Sequence, residues 1–341
     1  MKQAHGFRRQ RGVLIVWLAL FLLVLIGFVS VGVDLAKLAV TQSQLQAAAD
    51  AAALAGGTAV DSLTGTILQP QAILRAQDTG SRNKAFEMVP TPVVIAAGDI
   101  TFPSDSTIKV IAKRVDDTGM VTHFVGAFLG SAFHKLNMQA SAVAEVRRAG
   151  AACCGLIPVG AIPPIAGGFQ TGCAYQYDLR LAPGAGISGD YYFIDFPPCD
   201  QGACAGFPQT GANTLRCLIR NGYCCCISVG QVLQAEPGSM SGPFVQSINT
   251  LFDNDADQRE GICFEQYTGT GDRVVTVPLT TLPTGGRAPV TITGFAKFFI
   301  KYRPKGGVNA QLQGEFIQGV IRGTGGGGPP GVNSFVVHLV K

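Results

Sequence analysis

The chain opens on its longest apolar run: Val13 to Val33 reads "VLIVWLALFLLVLIGFVSVGV", 21 residues without a charge. That length matches the roughly 20 residues a helix needs to cross a bilayer. Behind it, "DLAKLAVTQSQLQAAADAAALAGG" holds no proline and no interior glycine, so the helix continues outward as a stem. Leu38, Leu45 and Ala52 recur every seven residues along the stem, with Ala49 at a second seam position. The stripe is narrow and turns to small residues at its far end, where another helix or a sheet can approach closely. Gly56-Gly57 supplies the stop. Gln46 stands four residues before Asp50, within reach of a side-chain hydrogen bond.

Past the stem the pattern shortens. "QAILRAQDTGSRNKAF" predicts a helix, and "TPVVIAAGDITF" and "TIKVIAKRVD" predict strands. The second strand alternates Ile108, Val110 and Ala112 on one buried face. "MVTHFVGAFLGSAF" reads as a helix and "KLNMQASAVAEV" as a closing strand. Residues 68–147 thus form a small α+β unit whose sheet covers the stem's stripe. From about residue 150 onward short β runs dominate: "GDYYFIDF", "RVVTVPL", "APVTITGFAKFFIKY", "AQLQGEFIQGVI" and "SFVVHLV". Gly/Pro clusters separate them, as in a mainly antiparallel sheet with long loops.

Composition agrees with this division. Charged residues are 14% of 341, below the roughly 25% of ordinary soluble domains. The net charge of +4 is local: Lys2, Arg8, Arg9 and Arg11 precede the apolar run, and no acid accompanies them. The remaining 22 basic residues balance 22 acidic ones. The cations are therefore a topology signal rather than a nucleic-acid footprint. The positive-inside rule places residues 1–12 in the cytoplasm and everything beyond Asp34 outside. A cleaved secretory signal has a shorter apolar core with a small-residue site close behind it. Here Ala47-Ala48-Ala49 lies too far downstream. A prepilin leader cut at Gly12 normally has a glutamate where this chain has Trp17, so a retained single-pass anchor is expected.

Cysteines change the picture of the distal half. All ten lie within it: Cys153, Cys154, Cys173, Cys199, Cys204, Cys217, Cys224, Cys225, Cys226 and Cys263. An even set outside the membrane predicts a disulfide framework in an oxidising compartment. Its connectivity is open, although neighbouring cysteines are expected to pair with distant partners, because adjacent-residue bridges are strained. There is no C-x-x-C and no haem-attachment motif. His123 and His134 share a helix face without Cys, Asp or Glu at ligand spacing, which favours ordinary histidines over a metal pair. Asp253, Asp255 and Asp257 alternate as in calcium loops, yet Gln258 stands at loop position six and Phe264 at twelve, so the segment is no EF-hand. A solvated acidic turn is the alternative. "GAGISG" at Gly184–Gly189 precedes a strand rather than a helix, and "GSMSG" lacks the nucleophilic serine at its centre. No enzymatic activity and no cofactor are expected.

One set of residues resembles a known family. Arg11-Gly12, the span, Asp34, then Leu45, Gln46, Asp50, Ala52, Ala53, Leu54 and Ala55 are similar to the N-terminal module of TadG-like proteins. Those are Flp/Tad pilus-assembly proteins with TadE-type relatives. The order helix–strand–strand–helix–strand is similar to the region after the stem in that family and to pilin-like layouts. "EPGSMSGP", "RVVTVPL", "VTITGFAKFFI" and "LQGEFI" resemble its C-terminal half. No D-x-S-x-S occurs, so the metal-dependent adhesion of some relatives is not implied.

The resemblance implies a structural inner-membrane protein that works with the bilayer and with other pilus or minor-pilin components. Homo-oligomers would form through the stem. The alternative is an anchored adhesin or ligand-binding module using the cysteine-rich domain. Asp50 is either solvated or faces a partner cation. The expected division is 1–12 stub, 13–33 span, 34–57 stem, 58–149 pilin-like unit and 150–341 cysteine-rich β domain.

Overall fold

The structure, a computed structural model, describes residues 7–61, 64–83, 93–114, 121–122, 135–163, 169–180, 191–236, 240–284, 287–305, 310–326 and 334–340. Span and stem are one unbroken helix, α1 (Phe7–Gly57). At 1.5 Å per residue it is about 75 Å long. Its outer face from Leu14 to Val29 is exposed all round, and its most apolar window has a mean hydropathy of 3.0. Contiguous exposed apolar surface of this size marks a membrane or partner contact. The helix is long and apolar enough to cross a membrane.

The first buried residue past the run is Asp34, only 6% exposed. From there the stem enters a folded body. Helix α2 (Gln69–Arg82) and strands β1 (Ile100–Ser104), β2 (Thr107–Arg114) and β5 (Met138–Cys153) surround it, with short strands β3 (Val121–Thr122) and β4 (Lys135–Leu136) between. Leu45, Ala48, Ala49, Ala52 and Ala53 have no accessible surface. They pack with Ile108, Val110 and Ala112 of β2, Ala140, Ala142 and Ala144 of β5, and Ala72 and Ala76 of α2 in one core. The buried stripe is wider than the heptad pattern indicates, because the sheet and α2 contact the stem from two directions. Small residues on both sides let the backbones approach closely. A Cβ on Gly56 would meet Ile108 Cδ1 at 2.5 Å, and one on Gly57 would meet Val337 Cγ1 at 2.6 Å.

The alternation expected of β2 is present: Ile108, Val110 and Ala112 face the core. Val121–Thr122, expected to be helical, is a strand paired with Lys135–Leu136. The rest of that expected helix, with His123 and His134, lies outside the described residues, as does the "GAGISG" stretch.

Distal strands are β6 (Val159–Ala161), β7 (Tyr177–Arg180), β8 (Tyr191–Asp195), β9 (Cys226–Ser228), β10 (Val232–Ala235), β11 (Val274–Thr280), β12 (Pro289–Ile300), β13 (Gln311–Ile317), β14 (Gly319–Val320), β15 (Gly323–Gly325) and β16 (Ser334–Val340). Seven form a sheet in the order β10-β8-β6-β11-β12-β13-β7, antiparallel except where β6 meets β11. Because β10 also pairs with β12, five of them close on themselves.

Two helices cover this sheet, α3 (Ala212–Asn221) and α4 (Ser241–Asn254), neither foreseen from the β-rich composition. Phe244, Ile248, Leu251 and Phe252 of α4 join Tyr191, Phe193 and Phe298 in a second core. Other residues of the same sheet, Tyr192, Ile194 and Phe295, pack with Ala149, Ala152 and Val336 in a third. With both faces covered, β8 is buried along its whole length.

The two parts are not separate at residue 150. Strand β5 runs through that position, pairing with β2 over 138–145 and with β9 over 151–153. The last strand, β16, returns to pair with 143–148 of β5. Residues 334–340, read from sequence as the end of the distal domain, belong to the proximal sheet. Their apolar alternation suits either sheet, and only the long-range pairing decides between them.

Candidate functional site

The residues singled out in the sequence gather along one helix. Arg11 and Gly12 lie in the first turns of α1. Asp34 is buried where the folded body begins, Leu45 is fully buried, and Leu54 is half-buried. Gln46 donates from Nε2 to Asp50 Oδ1 at 2.8 Å, the bond its spacing predicts. The same nitrogen donates to the backbone oxygen of Ser141 at 3.2 Å, and Gln42 Nε2 reaches Gln139 O at 3.3 Å. Two glutamines therefore tie the stem to the β5 backbone where alanine packing alone gives little directional hold. Among the described residues no cation pairs with Asp50. Its role within the chain is to orient Gln46, and its half-buried carboxylate stays at the surface.

Gln46→Ala removes one bond to Asp50 and one to the sheet, an expected loss of about 1 kcal/mol. Asp50→Ala should lose less, because Gln46 keeps its bond to Ser141 O. Thermal melts of the two variants check this order.

The three alternating aspartates do not share a site. Asp253 pairs with Arg303 at 2.8 Å. Asp255 accepts from the backbone N–H groups of Asp257, Thr270 and Arg273 and from the Tyr267 hydroxyl. Asp257 accepts from Arg259 through two guanidinium nitrogens and from the Thr268 N–H. These donors, Arg259 first, hold the Asp257 carboxyl well below its usual range. Burial, then the bond to Asp255, pushes the Tyr267 hydroxyl up to about 12. Oxygens committed to N–H and O–H donors are poor calcium ligands. The segment is a loop knotted around two buried carboxylates rather than a solvated turn.

At the centre of that loop sits a residue the sequence did not single out. Arg273 has no accessible surface. Its guanidinium lies 4.7 Å from the Phe252 ring centre and 4.9 Å from those of Tyr267 and Phe299, and Nη1 donates to Arg259 O at 2.9 Å.

A second unforeseen cluster joins β8, β10 and the start of α3. Arg287 Nη2 donates to Asp195 Oδ2 at 3.1 Å, and Glu236 Oε1 accepts from the Gly211 N–H at 3.2 Å. Burial, then the hydrogen bond to the Asp195 carboxyl and the repulsion from it, raises Glu236 to about 7. The folded protein therefore binds a proton between about pH 4.5 and 7 that the unfolded chain lacks, and stability falls as pH rises through that window. Glu236→Gln should flatten this slope and leave the variant more stable than the parent at pH 8. Denaturant unfolding at pH 5 and 8 measures the difference.

Eight cysteines pair: Cys153–Cys226, Cys173–Cys263, Cys199–Cys225 and Cys204–Cys217. No adjacent residues bond to each other, as strain requires. Cys154 and Cys224 stand as thiols, although the even count predicts all ten in bridges.

The feature that unites the singled-out residues is the anchor passing directly into a stem locked on a sheet. The family model described as "Putative Flp pilus-assembly TadE/G-like" matches residues 12–59, which are the span, the stem and the turn after it. No curated protein and no solved structure matches the chain. The match includes Gly12, Asp34, Leu45, Gln46, Asp50 and Leu54, and leaves Arg11 one residue outside. Residues 12–59 thus form a TadE/G-like segment, and it is through that segment, at the level of the family, that the chain is tied to Flp pilus assembly.

Proposed function

We propose that this protein is a non-enzymatic, single-pass component of Flp/Tad-type pilus assembly, held in the inner membrane with its basic end in the cytoplasm. Its folded parts lie in the periplasm and serve as a minor-pilin-like or anchoring element in adherence and secretion. The observation that carries this reading is the continuity of the exposed apolar run with the docked stem, inside the segment that the family matches. A rigid passage from membrane to body suits transmission of position rather than chemistry. The four bridges support an oxidising location, and the N-terminal cations support the orientation.

The test is purification of the tagged full chain from detergent-solubilised membranes of a piliated strain. Recovery of pilus-assembly components with it is the expected result. Their reproducible absence, with an envelope ligand retained instead, would favour the adhesin reading. A reporter enzyme active only in the periplasm, fused after Lys341, should be active.

A further inference from the structure

We infer that Cys154 and Cys224 form a fifth disulfide, a second rung beside Cys153–Cys226. The backbone brings them together. Cys153 and Cys226 are register partners in the β5–β9 ladder, and past its end Leu156 and Tyr223 form an antiparallel bridge, with Tyr223 N donating to Leu156 O at 2.8 Å. Cys154 and Cys224 lie between these two fixed points, on the two chains the points join. The chains run so close that a Cβ on Gly222 would meet Gly155 Cα at 2.6 Å. Cys154 Sγ lies 3.2 Å from the backbone oxygen of Cys224, to which it donates.

Two further observations concern the thiols themselves. Cys154 has φ +64°, the only positive φ outside glycine among the described residues. That conformation is costly for a side chain with a Cβ and persists where surroundings impose it. The Cys224 thiol is pushed up first by a hydrogen bond with the Cys154 thiol and then by burial, in keeping with the closeness that the backbone imposes. Cys154 also lines an open cleft of about 620 Å³ between Val274, Lys297, Arg322 and Val337, which gives a small oxidant access.

The oxidant is an exogenous disulfide, small-molecule or carried by a thiol–disulfide oxidoreductase. One protein thiolate attacks it, forming a mixed disulfide and releasing one thiol. The other protein thiolate then attacks the protein sulfur of that mixed disulfide and releases the second thiol. Two protein thiols are oxidised, one disulfide is reduced to two thiols, and the two protons leave with them.

Cys153 and Cys226 are 73 residues apart in sequence, and Cys154–Cys224 closes nearly the same loop. Loop-closure entropy is gained once, so either rung substitutes for the other. The inference rests on the outward placement of the distal domain, and one experiment separates the two. The full chain is denatured at lysis in the presence of a mass-tagged alkylating reagent, and each label is counted as one free thiol.

No free thiol is expected in the parent, one in each of Cys154→Ser and Cys224→Ser, and none in the double variant. Two free thiols in the parent would overturn the fifth bridge and leave the placement standing. Ten would overturn both, and a disulfide-linked dimer would overturn the intramolecular pairing. In melts, removing either rung by paired serine substitutions should lower Tm by no more than about 2 °C, and removing both by about 10 °C. Additive losses would contradict the shared loop.

Discussion

Arg273→Ala is expected to destabilise the distal domain by about 3–5 kcal/mol, the range for emptying a large buried side chain. The guanidinium fills the space between Phe252, Tyr267 and Phe299. Its loss leaves a cavity among three rings and strands Arg259 O without its donor. The loop around Asp255 and Asp257 then loses the packing beneath it. Arg273→Lys keeps the charge but not the flat face, so it should recover only part of the loss. Denaturant unfolding followed by near-UV circular dichroism reads this directly, because Tyr267 is in the affected cluster.

Ala52→Leu should have an effect of about 3 kcal/mol at the other end of the molecule, through overpacking rather than a void. Ala52 has no accessible surface and lies in the core shared by the stem, β2, β5 and α2. Three added carbons must push the stem from its sheet or displace α2. Ala47, exposed on the same helix, takes leucine as a control and should change stability by less than about 0.5 kcal/mol. Protease sensitivity of the region around Gly56 compares the two variants, with Ala52→Leu cut faster.

These two sites differ in how legible they are. The anchor and stem can be read from local pattern because their forces are local: an uncharged run of span length, a small-residue stripe at helical spacing, and a glutamine four residues before an acid. The strand alternation at Ile108, Val110 and Ala112 is equally local. The pattern understates the breadth of the buried face, since alanines at 48 and 53 are silent until a sheet and a second helix arrive together.

Helices α3 and α4 are hidden by their neighbours. Phe244, Ile248, Leu251 and Phe252 have helical spacing, but glycine-rich surroundings and abundant strands outweigh so short a signal. Arg273 looks like an ordinary charge ahead of a strand, and only the folding of Phe252, Tyr267 and Phe299 around it makes it a core residue. Glu236 and Asp195 are 41 positions apart, with nothing local to link them. Position 150 looks like a boundary because composition changes there. Composition is blind to the return of Ser334–Val340 to β5.

On the proposed function, a TadE/G-like anchor and stem join this body to a pilus-assembly machine. A photo-crosslinking amino acid placed at Ala47, on the stem's exposed side, tests it most directly in cells that make the pilus. A defined adduct with a pilus-assembly component is expected, and it should disappear when the machine is deleted. A folded, inserted chain that gives no such adduct from any exposed stem position, while pili assemble normally without it, would contradict the claim.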